Sequence, residues 1–252
     1  MKKLFYLLIC SLCIFACTSK EKEEEYVTIS GYVTDYDGNS IDSVSVTWMD
    51  PGFSGNIYEA YTDQNGFYSA RIKKGRYYSM SAMDMSEYIH AGSILSDEDQ
   101  RLEFWAWNFI ADRDTTYNIS YHRMEAYGIN AFRIQGAPPA YMIYVRPMSL
   151  TRHQAWAKNK TPEAILAPSP ENAKVVVTIN GEEVPINMIQ EVKEYFDETD
   201  YGNAYLLSVG MPKKKNPLPY HVFKVYIEDK ENGDKGEGLY FLEKQQYEPY
   251  HE

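Results

Sequence analysis

Val27-Thr28-Ile29-Ser30-Gly31-Tyr32-Val33-Thr34 runs straight into Asp35-Tyr36-Asp37-Gly38, and this stretch sets the reading of the whole chain. Val27, Ile29, Gly31 and Val33 alternate with Thr28, Ser30, Tyr32 and Thr34, the period of a strand with one face in a core. Asp35 to Gly38 has turn chemistry. Outward from there the grammar repeats. Val44, Val46 and Trp48 alternate with Ser43, Ser45 and Thr47. Residues 57–62 lead into Asp63-Gln64-Asn65-Gly66, where Asn-Gly predicts a tight hairpin. Residues 67–72, a Lys73-Lys74-Gly75 turn and residues 76–83 continue the series, and 102–109 and 115–121 would close it. Short strands with regular turn signals predict an all-β domain over 27–125.

Composition agrees. Of 252 residues, 44% are hydrophobic and 15% aromatic, with 23 tyrosines, a strand-favouring balance. The formal charge of −11 argues against a nucleic-acid partner, which needs a basic face, and against adsorption on anionic lipid through a polybasic patch.

In this first domain, Gly31-x-Val33-x-Asp35…Gly38, Ser43-Val44-x-Val46, Thr62-Asp63-x-Asn65-Gly66-x-Tyr68 and Gly75-x-Tyr77 resemble the carboxypeptidase regulatory-like domain. The resemblance implies a transthyretin-like, seven-stranded sandwich acting as a spacer, stalk or binding module without a catalytic role. Residues 84–100 form an insertion that the simplest members lack.

The N-terminus carries the address. Lys2 and Lys3 precede an uncharged, mostly apolar run over 4–16, the length of a signal h-region and short for a bilayer span. It ends in Ile14-Phe15-Ala16-Cys17, which resembles the lipobox of bacterial lipoproteins. That resemblance implies a signal peptide over 1–16, cleavage before Cys17, and a diacylglycerol on its thiol. The other cysteines, Cys10 and Cys13, fall in the signal, so the mature chain is no disulfide scaffold. The polar stretch over 18–25 reads as part of a flexible tether spanning 17–26. Its acidic run resembles the tag that sends lipoproteins to the outer face in one large Gram-negative phylum. The expected place is the cell envelope, lipid-anchored, at the outer membrane and displayed at its surface. No second long apolar run follows, so the remainder reads as soluble.

A second domain is expected over 126–247, with a polar tail at 248–252. Phe132 and Ile134, then Tyr141, Ile143 and Val145, read as strands parted by a Gly136-Ala137-Pro138-Pro139 turn. Residues 151–172 read as loop or short helix. Residues 175–179 and 184–189 flank Asn180-Gly181, a hairpin signal. Residues 191–195 read as one helical turn. Alternation resumes around Tyr205-Leu207-Val209 and Phe223-Val225-Ile227, and a Glu231-Asn232-Gly233-Asp234 turn precedes a last strand at 239–242. The pattern fits an immunoglobulin-like or fibronectin-like sandwich.

Chemistry is sparse. His90, His122, His153, His221 and His251 show no zinc spacing, and no nucleophile elbow or phosphate-cradling loop occurs. No catalytic residue, metal ligand or cofactor is expected. Asp35-x-Asp37-x-Asn39 and the Glu228–Asp234 turn carry oxygens, but the first lacks the glycine and closing glutamate of a calcium loop and the second contains Lys230; both read as solvated turns. The strand over 102–109 puts Leu102, Phe104 and Ala106 on one face and Trp105, Trp107 and Phe109 on the other. Such a strand is buried on both sides or shows an aromatic face to a sugar or a protein. Trp105, Trp107 and Trp156 are the candidate ligand-stacking residues. The leading expectation is a non-catalytic surface lipoprotein for binding, adhesion or scaffolding, with the membrane as lipid partner and a protein or glycan as ligand. A glycan-binding accessory of polysaccharide uptake and a fimbria-like subunit are the alternatives.

Overall fold

The computed structural model describes residues 24–89, 96, 98–134 and 139–244. The signal over 1–16, Cys17, most of the tether, the middle of the 84–100 segment, residues 135–138 and the tail lie outside the described residues.

In chain order the elements are β1 (Tyr26–Thr34), β2 (Ser45–Met49), β3 (Asn56–Tyr61), β4 (Phe67–Lys73), β5 (Gly75–Arg76), β6 (Ser79–Met83), β7 (Phe104–Trp107), β8 (Ile110–Ala111), β9 (Thr115–Thr116) and β10 (Ile119–Ser120). The second half contributes β11 (Met124–Phe132), β12 (Tyr141–Ser149), α1 (Leu150–Asn159), β13 (Glu163–Ala164), β14 (Ala173–Ile179), β15 (Glu182–Glu183), β16 (Ile186–Tyr195), β17 (Tyr201–Val209), β18 (Tyr220–Asp229) and β19 (Lys235–Glu243). The protein is all-β with β-sandwich architecture and, among the described residues, one short helix.

The sandwiches are joined by a single wall. An eight-stranded sheet runs β15-β14-β18-β19-β7-β6-β2-β3, and its centre is a parallel pairing of β19 with β7. A sheet of β4, β1, β9 and β10 packs on the β7-β6-β2-β3 half, enclosing Ile29, Val33, Trp48, Tyr68, Phe104 and Phe109. A sheet of β11, β12, β17, β16 and β13 packs on the opposite half, enclosing Ile143, Val145, Val177, Leu207, Phe223 and Val225. The two cores lie on opposite faces of the wall. Along β19, Leu239 and Phe241 enter the first core while Tyr240 and Leu242 pack on the second. Along β7, Phe104 and Ala106 enter the first and Trp107 the second, with Trp105 packed against it. Strands covered on both faces have to be apolar on both, which accounts for the double aromatic pattern of β7.

Close backbone contact fixes the junction. A Cβ at Gly236 would stand 1.9 Å from the Met124 carbonyl oxygen, and one at Gly238 would stand 2.9 Å from that of Ala126. Bare glycine backbone on β19 therefore lets β11 lie directly on the wall.

Each residue of the Thr62–Tyr68 motif has a structural task. The Thr62 hydroxyl donates to the Ile41 carbonyl and accepts from the Val44 amide, tying down the lead-in to β2. The Asp63 carboxylate accepts from the Asn65 and Phe67 amides. Gly66, at φ +74°, accepts the Val33 amide through its carbonyl, and a Cβ there would meet the Val33 oxygen at 2.5 Å. Tyr68 donates from inside the core to the Tyr117 carbonyl. The turn is real, but the predicted Asn65-Gly66 hairpin is not: β3 and β4 belong to different sheets, so the chain crosses the sandwich here. Asn180-Gly181 does make its hairpin, with both residues left-handed at φ +54° and +78° between β14 and β15.

Other expectations change as well. Residues 191–195 are the end of β16, not a helical turn, because they complete an antiparallel ladder with β17. Residues 76–83 are split between β5 and β6. The face assigned to Phe109 is wrong because Asn108, at φ +52°, reverses the alternation and sends Phe109 into the first core. The Asp35 turn is explained without an ion: its carboxylate accepts from the amides of Asp37 and Asn39 and from the Asn39 side chain.

The Glu228–Asp234 turn is solvated only in its middle, over residues 230–233. Asp229 and Asp234 are buried. Asp229 accepts from Arg152 Nε at 2.6 Å, and Asp234 accepts from the Ser149 hydroxyl at 2.6 Å, the Thr151 amide at 2.9 Å and Arg123 Nε at 3.3 Å. Ser149 is also the N-cap of α1, so Asp234 places a negative charge at the positive end of the helix. Removing one partner from a buried pair of this kind costs about 3–5 kcal/mol.

Gly236→Ala forces a Cβ onto the Met124 carbonyl, so we expect it to destabilise the protein by about 3 kcal/mol. Urea unfolding monitored by far-ultraviolet circular dichroism checks this; unchanged stability would mean that β11 does not rest on β19.

Candidate functional site: an aromatic seam between the sandwiches

Where β7, β11 and β12 meet, aromatic rings form a continuous band. The Trp105 and Trp107 indoles stack, with centroids 4.8 Å apart and planes 11° from parallel. Tyr127 of β11 stands edge-on to both, at 6.1 and 5.3 Å. Arg146 lies opposite Tyr127 in the β11–β12 ladder, with its guanidinium 4.7 Å from the Tyr127 ring and 5.6 Å from that of Phe196. At the other end Tyr78 meets Trp107 edge-on at 5.8 Å, and Phe53 lies 4.9 Å from Tyr78.

Of the two readings of the β7 aromatic face, the indoles follow the buried one. Trp107 is only 9% exposed, Trp105 is half-buried, and their facing planes cover each other. The ends are open, with Phe53 at 65% and Tyr78 at 37%. Trp156 makes its ring contact with His153 and not with the stacked indoles. It sits half-buried on α1, donates from Nε1 to the Thr161 carbonyl at 2.8 Å, and lines a separate cleft of about 570 Å3 with Arg152, Glu163 and Tyr201. The structure thus brings Trp105 and Trp107 together and leaves Trp156 elsewhere.

Sequence reading missed the residues at the open end. A cleft of about 530 Å3 there is lined by Arg76, Tyr78, Asn108, Tyr240 and Glu243, among others. Asn108 donates from Nδ2 to the Tyr240 hydroxyl at 2.9 Å, and Arg76 pairs with Glu243 across the mouth. The available signal was Pro51-Gly52-Phe53-Ser54-Gly55, an aromatic residue in a loop of turn formers.

Beside the stacked indoles lie two buried carboxyls, Glu103 and Glu125. Trp105 Nε1 donates to Glu103 Oε1 at 3.1 Å. Neither oxygen of Glu125 meets a hydrogen-bond donor in good geometry among the described residues. Burial first, and then the Glu103 charge, push the Glu125 pKa well up, with Arg146 and the Trp105 indole opposing. Burial also raises Glu103, against hydrogen bonds from Tyr88 and Trp105. Burial lowers His122 and His153. His221 shares a 2.8 Å hydrogen bond with Asn180. His90 and His251 lie outside the described residues. No group of three or more metal-ligating side chains is found among the described residues. The stacked indoles and the two buried carboxyls thus form the inner part of the seam, and the exposed Phe53 and Tyr78 are the rings a ligand can reach.

No protein-family profile and no curated protein matches the chain. Among solved structures, the chain is similar to a DUF3823 family protein from Bacteroides ovatus, at 11% identity and a TM-score of 0.28 over 85% of this chain and 98% of that one. A DUF3823 family protein from Parabacteroides merdae gives 10% and 0.28 over 88% and 100%. BcpA, the major pilin subunit of Bacillus cereus, gives 11% and 0.27 over 86% and 69%. Likeness at that level says nothing of function.

Glu125 has a folded pKa above its ordinary value of 4.5, so the neutral acid is the form the fold favours. That contribution is complete below about pH 4.5 and is lost as pH rises through the folded pKa. Glu125→Gln should leave the melting temperature unchanged at pH 4 and raise it at pH 8, by about 2–4 °C per kcal/mol recovered. Melting curves of both proteins at the two pH values decide it; a destabilised variant at pH 8 would show that the carboxylate is paired.

Proposed function

We propose that this chain is a lipid-anchored, non-catalytic binding module of a bacterial cell surface, with Cys17 as the lipidated residue and a carboxypeptidase regulatory-like first domain. The observation that carries the reading is how the fold distributes its side chains. Buried charges close on one another in Arg152–Asp229 and Arg123–Asp234, holding the frame, while Phe53, Tyr78 and Phe196 stay exposed along one seam. Exposed aromatics on a rigid frame favour recognition over chemistry.

The anchor fits this role. Glu24 and Glu25 form ion pairs with Lys73 and Lys74 at the end of β4, so the tether is short. Seven chain steps separate Cys17 from Glu24 and reach about 25 Å at most. The folded body would then ride close to the lipid surface rather than on a long stalk.

Metabolic labelling with an alkyne fatty acid, followed by membrane fractionation, tests the assignment. The wild type should take up label and sediment with membranes, and Cys17→Ala should lose both. Equal labelling of the variant would overturn the lipidation site, and protease accessibility on intact cells separately reads surface display.

A further inference from the structure

Beside the cleft at the open end of the seam, which Pro51 and Tyr78 line, the chain has a feature that the frame does not require. Phe53 is a bulky residue held in the left-handed region at φ +59°, where such side chains are rare. The loop is built to hold it there: the Asp50 carboxylate accepts from the Gly52 and Ser54 amides and from the Ser54 hydroxyl, and the Phe53 amide donates to the Asp50 carbonyl. The outcome is a phenyl ring 65% exposed, propped against Tyr78. Strained backbone carrying an exposed apolar ring points to function.

Beside this platform the polar groups are planar and ordered. Asn108, also left-handed, aims its amide at the Tyr240 hydroxyl, which accepts that bond and keeps its own proton for a further acceptor. Arg76 and Glu243 supply a donor fork and an acceptor pair whose charges cancel. The Lys244 ammonium, also at this cleft, donates to the Asn216 carbonyl. An aromatic ring next to planar donors and acceptors, with Arg76 opposed by Glu243 and the Lys244 ammonium engaged by the Asn216 carbonyl, matches a molecule that has apolar C–H faces and a rim of hydroxyls. A volume of about 530 Å3 lies within the usual range for small-ligand sites, about 300–1,000 Å3.

We propose that this cleft binds a neutral saccharide, with Tyr78 of its lining as the stacking ring, extended by Phe53 that rests against Tyr78 outside the lining, and with Asn108, Tyr240, Arg76 and Glu243 as the hydrogen-bonding groups. The proposal rests on the binding-module reading and names its ligand class. It also separates the site from the stacked pair of Trp105 and Trp107, of which Trp107 meets Tyr78 edge-on.

The test uses the full mature chain in detergent, screened on an array of neutral gluco-, galacto-, manno- and xylo-oligosaccharides, then titrated with the best hit by tryptophan fluorescence. Trp107, in contact with Tyr78, serves as the reporter. Phe53→Ala and Tyr240→Phe should each weaken binding by about tenfold, as expected when a central contact is removed. Trp156→Ala, in the separate cleft, should bind as the wild type does. Circular dichroism confirms that each variant is folded. Saccharide binding unaltered by Phe53→Ala and Tyr240→Phe would overturn this site while leaving the binding-module reading intact. Folded protein that ignores every neutral saccharide, or that binds only charged glycans or peptides, would overturn the ligand class.

Discussion

Two carbonyl oxygens resting on bare backbone hold this molecule in its form. Those of Met124 and Ala126 occupy the space that side chains at Gly236 and Gly238 would fill, and β11 thereby lies directly on β19. From that contact the rest follows. With β11 fixed, β19 is covered on its second-core face, while Leu239 and Phe241 on its other face belong to the first core. The last described strand, β19, thus closes both sandwiches, through its parallel pairing with β7. A long-range contact of this kind is costly to form, but it removes two sheet edges at once.

This junction also accounts for what could and could not be read from the chain. Alternation in β1, β12 and β18 gave their buried faces, because a half-buried strand writes its period into the sequence. The aromatic double pattern of β7 was visible, but its cause was not. Nothing local to Phe104–Trp107 says that its outer neighbour is a strand more than a hundred residues away. Turn chemistry located the bend at Asp63–Gly66 and not its direction, since the same residues serve a hairpin or a sheet crossing. Asn108 shows the limit plainly: one left-handed residue reversed the face of Phe109. The buried carboxylates of Asp229 and Asp234 passed for a surface turn because their arginines come from α1 and from the strand junction before β11, far off in sequence.

The seam is where the shared wall leaves its aromatics half-covered. Trp105 and Trp107 stack on each other and against Tyr127, and so stiffen the angle between the sandwiches instead of offering flat faces. Glu103 and Glu125 sit at the same corner, where burial favours their neutral forms. Phe53, Tyr78 and the cleft beyond them take their position from this packing. A ligand bound there would touch both the β2–β3 loop and β19, so recognition and the joint between the sandwiches share side chains.

The central claim is that the sandwiches are one cooperative body because they share a wall. Differential scanning calorimetry of the mature chain tests it most directly. A single reversible transition, with calorimetric and van't Hoff enthalpies equal, is what a shared sheet predicts. Two resolved transitions, one for each sandwich, would contradict it and leave β19 as a strand that merely touches β7.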